Sequence, residues 1–152
     1  MKKAQSLLWS LFAGFILVGC ASGGAPGSNS HASAQIPNTT VAAVQNVSAA
    51  VFIEKGYTVT VNQPTLMVFD RPGSRHDALK WGGWDGSGVV MRVKMSIRDM
   101  GNGSTFLLQA DAYAVRDASD PRVASESRNI MVNHRPYQKL LDEIKKRLQT
   151  KA

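Results

Sequence analysis

Two stretches decide the fold of this chain: VVMRVKMSIR (residues 89–98) and, after a glycine-rich turn, FLLQADAYA (residues 106–114). Each alternates apolar and polar residues, and because strand side chains point to opposite faces in turn, each predicts a half-buried strand. A register with Arg98 opposite Thr105 places Ile97 opposite Phe106 and joins the two apolar faces. The two stretches therefore predict an antiparallel hairpin.

Helices and further strands are predicted on both sides of this hairpin. Thr39-Thr40 suits the start of a helix and Gly56 its end, and Pro136 suits the start of another. In the first helix the buried face is predicted from the helical spacing of Val44, Val47, Val51 and Lys55. The second helix carries an apolar stripe of Tyr137, Leu140, Leu141, Ile144 and Leu148. Strands are predicted over residues 57–61 and 66–69, with an edge strand at 122–132. These elements predict an α+β fold, an antiparallel sheet of about four to five strands packed against an N-terminal and a C-terminal helix.

The N-terminus has the pattern of a secretory signal. Met1-Lys2-Lys3 is cationic, and Leu7 to Val18 is an apolar run too short for a stable membrane span. Leu17-Val18-Gly19-Cys20, which contains the only cysteine, resembles the lipobox of bacterial lipoproteins. The resemblance implies that a diacylglycerol is attached to Cys20, that the signal of residues 1–19 is removed, and that the new amine is acylated.

The resemblance also implies an address. Residue 21 is alanine, and in Gram-negative sorting an acidic residue there favours the inner membrane, so we expect the periplasmic face of the outer membrane. In a Gram-positive cell the address becomes the outer face of the cell membrane. The net charge of +7 falls to +5 when Lys2 and Lys3 leave, which suits acidic surfaces. An extracytoplasmic address argues against nucleic acid as a partner.

Composition divides the remaining chain into a tether and one domain. Residues 20–35 are rich in Gly, Ser and Ala, which predicts a flexible tether in which His31 is solvated. Residues 36–152 have the length of a single α+β domain. After lipidation of Cys20 no thiol remains for a disulfide, so a hydrophobic core must supply the stability.

The order of elements and the junction Lys55-Gly56-Tyr57-Thr58-Val59 resemble the helix-grip modules of small bacterial envelope lipoproteins. The C component of the barrel-assembly machinery is one such lipoprotein. The resemblance implies a helix-grip-like two-layer sandwich, although that component has two modules and this chain has one. A shared fold does not assign a function.

Residues with catalytic chemistry are few. His76 and His134 stand outside any metal-spaced pair, and the sequence has no nucleophile elbow, phosphate loop or dinucleotide fingerprint. We therefore predict a protein that is not an enzyme and holds no metal and no cofactor.

The segment from Pro72 to Gly88 is the first candidate for a partner-binding loop. It holds Trp81 and Trp84 among glycines, with Asp85 and the run Arg75-His76-Asp77 beside them. Indole rings there could stack on sugars, anchor a protein or enter the membrane interface. The simpler interpretation is that the indoles fold back to cover one end of the sheet.

A second candidate is the basic face Arg92, Lys94 and Arg98 on the polar side of the hairpin. The predicted register sets Arg92 opposite Asp111 and Lys94 opposite Gln109. Solvation and the cross-strand pairing with Asp111 explain most of these charges, but an uncovered face would suit an acidic partner. The sequence thus predicts a non-catalytic scaffolding or protein-binding lipoprotein of the cell envelope. The alternative is a peptidoglycan or glycan binder using the Trp81 and Trp84 loop. The partner's identity and the oligomeric state stay open.

Overall fold

In the residues that the computed structural model describes (30–81, 88–118, 122, 124–128 and 134–150), six strands form one antiparallel sheet. The strands are β1 (Ala32–Ile36), β2 (Thr58–Gln63), β3 (Leu66–Pro72), β4 (Val90–Asp99), β5 (Phe106–Arg116) and β6 (Ser125–Arg128), and the helices are α1 (Val41–Glu54), α2 (Arg75–Trp81) and α3 (Arg135–Thr150). The sheet order is β1-β5-β4-β3-β2, and β6 also pairs with β5. The predicted α+β class and antiparallel sheet are confirmed.

The core lies between one face of the sheet and the helices. Phe69, Met95 and Leu108 from the sheet are fully buried in one cluster with side chains of α1 and α3. Trp81 of α2 packs on the same face, against Val89, Met91 and Ala114, in a smaller cluster. Because strand side chains alternate, the other face carries Asp70 of β3 and the polar residues of β4 and β5. The result is a two-layer sandwich with one polar sheet surface.

The hairpin of β4 and β5 forms, but two residues away from the predicted register. Ile97 pairs with Leu108 and Arg98 with Leu107, so the predicted pairs of Ile97 with Phe106 and Arg98 with Thr105 are wrong. The turn explains the shift. The Asp99 carboxylate accepts hydrogen bonds from the amides of Gly101 and Gly103. These bonds centre the turn one residue later in the sequence than predicted. A shift of two preserves the faces, so the predicted apolar and polar sides are correct.

The domain begins earlier than residue 36. Strand β1 pairs antiparallel with β5, with Ala32 opposite Ala110 and Ile36 opposite Phe106. His31 is only 7 % exposed, so the predictions of a solvated His31 and of a tether extending to residue 35 are wrong. Small side chains fit here because β1 lies under α3. The same small, weakly hydrophobic residues are typical of linkers, which is why the sequence predicts a tether.

Helix α3 covers the free edge of β1. The Gln138 side chain accepts from the Ser33 amide at 3.2 Å and donates to the Ser33 carbonyl at 3.0 Å, as a neighbouring strand would. His134 Nδ1 lies 3.0 Å from the His31 carbonyl, which only accepts, so this nitrogen carries the hydrogen. An uncovered edge invites pairing with other chains, and these contacts occupy it.

Asp111 joins the two strands that share one edge of β5. β1 pairs with β5 from Phe106 to Ala110 and β6 from Tyr113 to Arg116, so Asp111 lies between them. Its Oδ1 accepts from the His31 amide and Nδ1 at 3.1 Å each and from Arg128 at 2.7 Å. Burial raises the pKa of Asp111, but the hydrogen bonds from Arg128 and His31 outweigh it and lower the pKa below its usual value.

The lowered pKa of Asp111 predicts that the free energy of unfolding depends on pH. A lowered pKa in the folded state stabilises the fold above the unfolded value of about 3.9, and the benefit is lost as the pH falls through the folded value. We expect Asp111→Asn to reduce the free energy of unfolding by about 1–2 kcal/mol at pH 7. Urea unfolding of both proteins should show the difference shrinking between pH 5 and pH 2. A difference that stays constant over this range would contradict the ionic role of Asp111.

Candidate functional site

A groove of about 700 Å³ opens on the helical side, between the end of α1, the start of α2, the side of α3 from Pro136 to Arg147, the end of β3 and the start of β4. Its apolar walls come from α1, β4 and α3, and its polar groups come from β3, α2, α3 and the segment that follows α1. Its charged and tyrosine side chains are Lys55, Tyr57, Arg71, Asp77, Tyr137, Lys139, Glu143 and Arg147. We call this surface the groove.

The end of α1 places Tyr57 in the groove. Gly56 has φ +79°, a left-handed conformation that glycine adopts without steric cost, and its amide bonds the Ile53 carbonyl. The chain then reverses, with the Tyr57 amide bonded to the Phe52 carbonyl. The Tyr57 ring meets Phe52 edge to face at 5.3 Å between centroids, and Tyr57 is 7 % exposed.

Tyr137 reaches the groove from the first turn of α3 and is 5 % exposed. Burial raises its pKa to about 12, with Tyr57 raising it further and Arg71 opposing the increase. Burial likewise raises the pKa of Tyr57, again against the opposing effect of Arg71. Both hydroxyls therefore stay protonated at neutral pH, and each is able to donate one hydrogen bond.

Arg71 lies on the core side of β3, two residues after Phe69, and also lines the groove. Its guanidinium carbon is 5.1 Å from the Tyr57 ring centroid, a cation–π distance. Its Nε is buried and has no hydrogen-bond partner in the part of the chain that the structure describes. Among the residues that the structure describes, Arg71 forms no ion pair.

Asp77, a predicted site residue, also lines the groove, but its carboxylate is occupied by its own helix. Oδ2 accepts from the Ser74 amide at 2.8 Å and from the Ser74 hydroxyl at 2.7 Å, and the Asp77 amide donates back to Ser74 Oγ. This reciprocal pattern is a capping box at the start of α2. Burial raises the pKa of Asp77, but the Ser74 hydrogen bonds and the nearby Arg71 lower it overall, so Asp77 is ionised at neutral pH.

The predicted partner-binding loop is in part a helix. Residues 75–81 form α2, so the prediction of a loop throughout 72–88 is wrong. Arg75 and His76 are exposed on α2, whereas Trp81 is half-buried against the sheet, as in the fold-back interpretation. Trp84 and Asp85 lie outside the described residues.

The basic face is largely neutralised. Arg92 binds both carboxylate oxygens of Asp70, at 2.8 and 2.7 Å, so its predicted pairing with Asp111 is wrong. Lys94 lies opposite Asp111 and not Gln109, and it bonds Glu126 at 2.6 Å. Arg98 is exposed at the end of the strand. Paired charges of this kind offer little net attraction to an acidic partner.

Most of the groove lies outside the site residues predicted from the sequence, which do not include Lys55, Tyr57, Arg71, Tyr137 and Lys139. One signal was available. Met67, Phe69 and Arg71 share one face of β3 by period two, and an arginine that continues an apolar face is unusual. The meeting of β3 with the ends of three helices depends on tertiary structure and has no local signature.

No protein-family model, curated protein or solved structure matches this chain. Within the described ranges, no cluster of three or more His, Cys, Asp or Glu side chains is placed to hold a metal ion. No helix in that part of the chain is long and apolar enough to cross a membrane.

Proposed function

We propose that this protein is a lipid-anchored, non-catalytic binding module of the bacterial cell envelope, and that its groove receives a segment of a partner protein. The observation that carries the proposal is the groove itself. Its volume of about 700 Å³ lies within the range of preformed ligand sites, roughly 300–1,000 Å³. Protein-binding hot spots are rich in tyrosine and arginine. The buried tyrosine rings and the cationic rim of the groove therefore support a protein as the occupant.

The anchor sets how far the groove can work from the membrane. Cys20 precedes Ala32, the first residue of β1, by 12 positions. A fully extended chain spans at most about 3.5 Å per residue, so the domain stays within about 40 Å of the leaflet that holds the lipid. The partner segment must therefore be presented at the membrane surface. Scaffolding beside the outer membrane is the corresponding role.

The proposal predicts a crosslink that depends on position. A photoreactive phenylalanine analogue at Lys139, on the rim, should give one discrete protein adduct in intact cells. The same analogue at Arg98, exposed on the polar face of the sheet, should give none, because that face is opposite the one on which the helices and the groove lie. Adducts of equal yield at both positions, or at neither, would contradict the proposed use of the groove.

A glycan is the second candidate ligand, favoured by a separate cavity of about 490 Å³ beside Trp81. Lys80, Arg116, Ser125 and Ser127 supply polar groups there, next to an aromatic ring suited to sugar stacking. The same experiment with the analogue at Leu79, which lines this cavity and is exposed, separates the two. An adduct at Leu79 whose mass falls on muramidase digestion would favour the glycan. An adduct at Lys139 whose mass is unchanged by muramidase would favour the protein partner.

A further inference from the structure

We propose that the groove recognises a carboxylate: Arg71 binds an acidic side chain of the partner segment while apolar residues on either side of it pack against the tyrosine rings. This inference rests on the proposed function and names the chemistry that the groove selects. It concerns Arg71, which the sequence analysis did not identify.

Arg71 forms no ion pair with any described carboxylate, although the charge of Asp77 acts on it from a distance. By contrast, the half-buried Arg92 pairs with Asp70, and the half-buried Arg147 pairs with Glu54 and Glu143. Arg71 is half-buried, its Nε has no hydrogen-bond partner within the described residues, and its guanidinium lies over the face of the Tyr57 ring. The removal of part of a cation from water without pairing it is costly. The terminal nitrogens of this half-buried guanidinium therefore remain available to a carboxylate from outside the chain.

The carboxylates of the groove already accept hydrogen bonds from other groups of the chain. Asp77 accepts the hydrogen bonds of Ser74, and Glu143 accepts from Arg147 Nε at 2.8 Å. Lys55 and Lys139 add two further cations to the lining, and neither forms an ion pair in the described part of the chain. The groove thus keeps an uncompensated positive charge for an anionic occupant.

The donors and charges of the groove suit a carboxylate better than other anions. A guanidinium presents parallel N–H donors that match a planar carboxylate, and the protonated tyrosine hydroxyls are further donors. The ionised Asp77 is close enough to Arg71 and both tyrosines for their charges to influence one another. It repels a doubly charged phosphate more than a singly charged carboxylate. Val51, Met91 and Leu140 also line the groove, which favours apolar neighbours of the acid.

The test uses two peptide libraries and the full chain purified in dodecyl maltoside. Both libraries are capped heptapeptides with apolar residues randomised around a central position, which is Glu in one and Gln in the other. Retention on immobilised protein is read by mass spectrometry. We expect the Glu library to be retained at least about tenfold better than the Gln library, because the carboxylate makes charge-assisted hydrogen bonds.

Matched variants assign the effect to Arg71. Arg71→Gln should abolish the preference for Glu, while Arg98→Gln, the same change at an exposed position on the polar sheet face, should retain it. Equal retention of both libraries, no retention of either, or a preference that survives Arg71→Gln would overturn the inference. So would a urea midpoint for Arg71→Gln far below that of the native protein, because Arg71 would then be structural. A position-specific crosslink at Lys139 with no Glu preference would reject the carboxylate while keeping the proposed function.

Discussion

Replacing Phe52 by alanine is expected to lower the free energy of unfolding by about 3–5 kcal/mol, the range for removing a large aromatic ring from a core. Phe52 is 1 % exposed and stacks on Phe69 with ring centroids 3.8 Å apart and planes 7° from parallel. It also meets Tyr57 edge to face. One ring therefore connects α1, the sheet and the wall of the groove, and neighbouring side chains cannot close the cavity that its loss would leave.

The next residue along α1 provides the control. Ile53 is 57 % exposed, so Ile53→Ala should change the free energy of unfolding by less than about 0.5 kcal/mol. Urea unfolding followed by circular dichroism measures both variants on the same baseline. If the two substitutions cost the same, α1 does not present the face seen in the structure, and the groove would need to be redrawn.

The buried face of α1 shows where sequence patterns lose precision. The sequence predicts its start at Thr40, whose hydroxyl accepts from the Ala43 amide, and its end at Gly56. The predicted face of Val44, Val47 and Val51 omits Phe52 and Ser48, which are buried. The helix is apolar on several sides, so periodicity alone does not choose among its faces. The sheet and α3 make that choice through packing.

The strands show a complementary limit. Alternation predicts the faces of β4 and β5 correctly because it depends only on neighbouring residues. It does not separate registers that differ by two, since these keep the same faces, and the hydrogen bonds of the Asp99 turn decide between them. β1 has no local signal, because its small residues acquire strand structure from β5 on one side and Gln138 on the other.

Cys20→Ser is expected to have the largest effect on location. The resemblance to a lipobox implies a thioether on Cys20, which a serine hydroxyl does not form under thiol-directed lipidation. We expect palmitate incorporation to fall to background and the protein to leave the outer-membrane fraction, since two or more acyl chains are needed for stable attachment. Metabolic labelling with palmitate and density fractionation measure the two effects separately. Ser22→Ala, two residues away with Cys20 intact, should match the native protein in both.

The two measurements also separate the anchor from the groove. Loss of palmitate with continued outer-membrane sedimentation would show that a contact other than the lipid holds the domain, and the groove is then the first surface to test. Adding Arg71→Gln to Cys20→Ser should release such a protein if its partner is itself membrane-bound. If the double variant still sediments, neither the lipid nor Arg71 is responsible. Full release by Cys20→Ser alone would instead mean that the lipid carries the attachment and leaves the groove free for recognition.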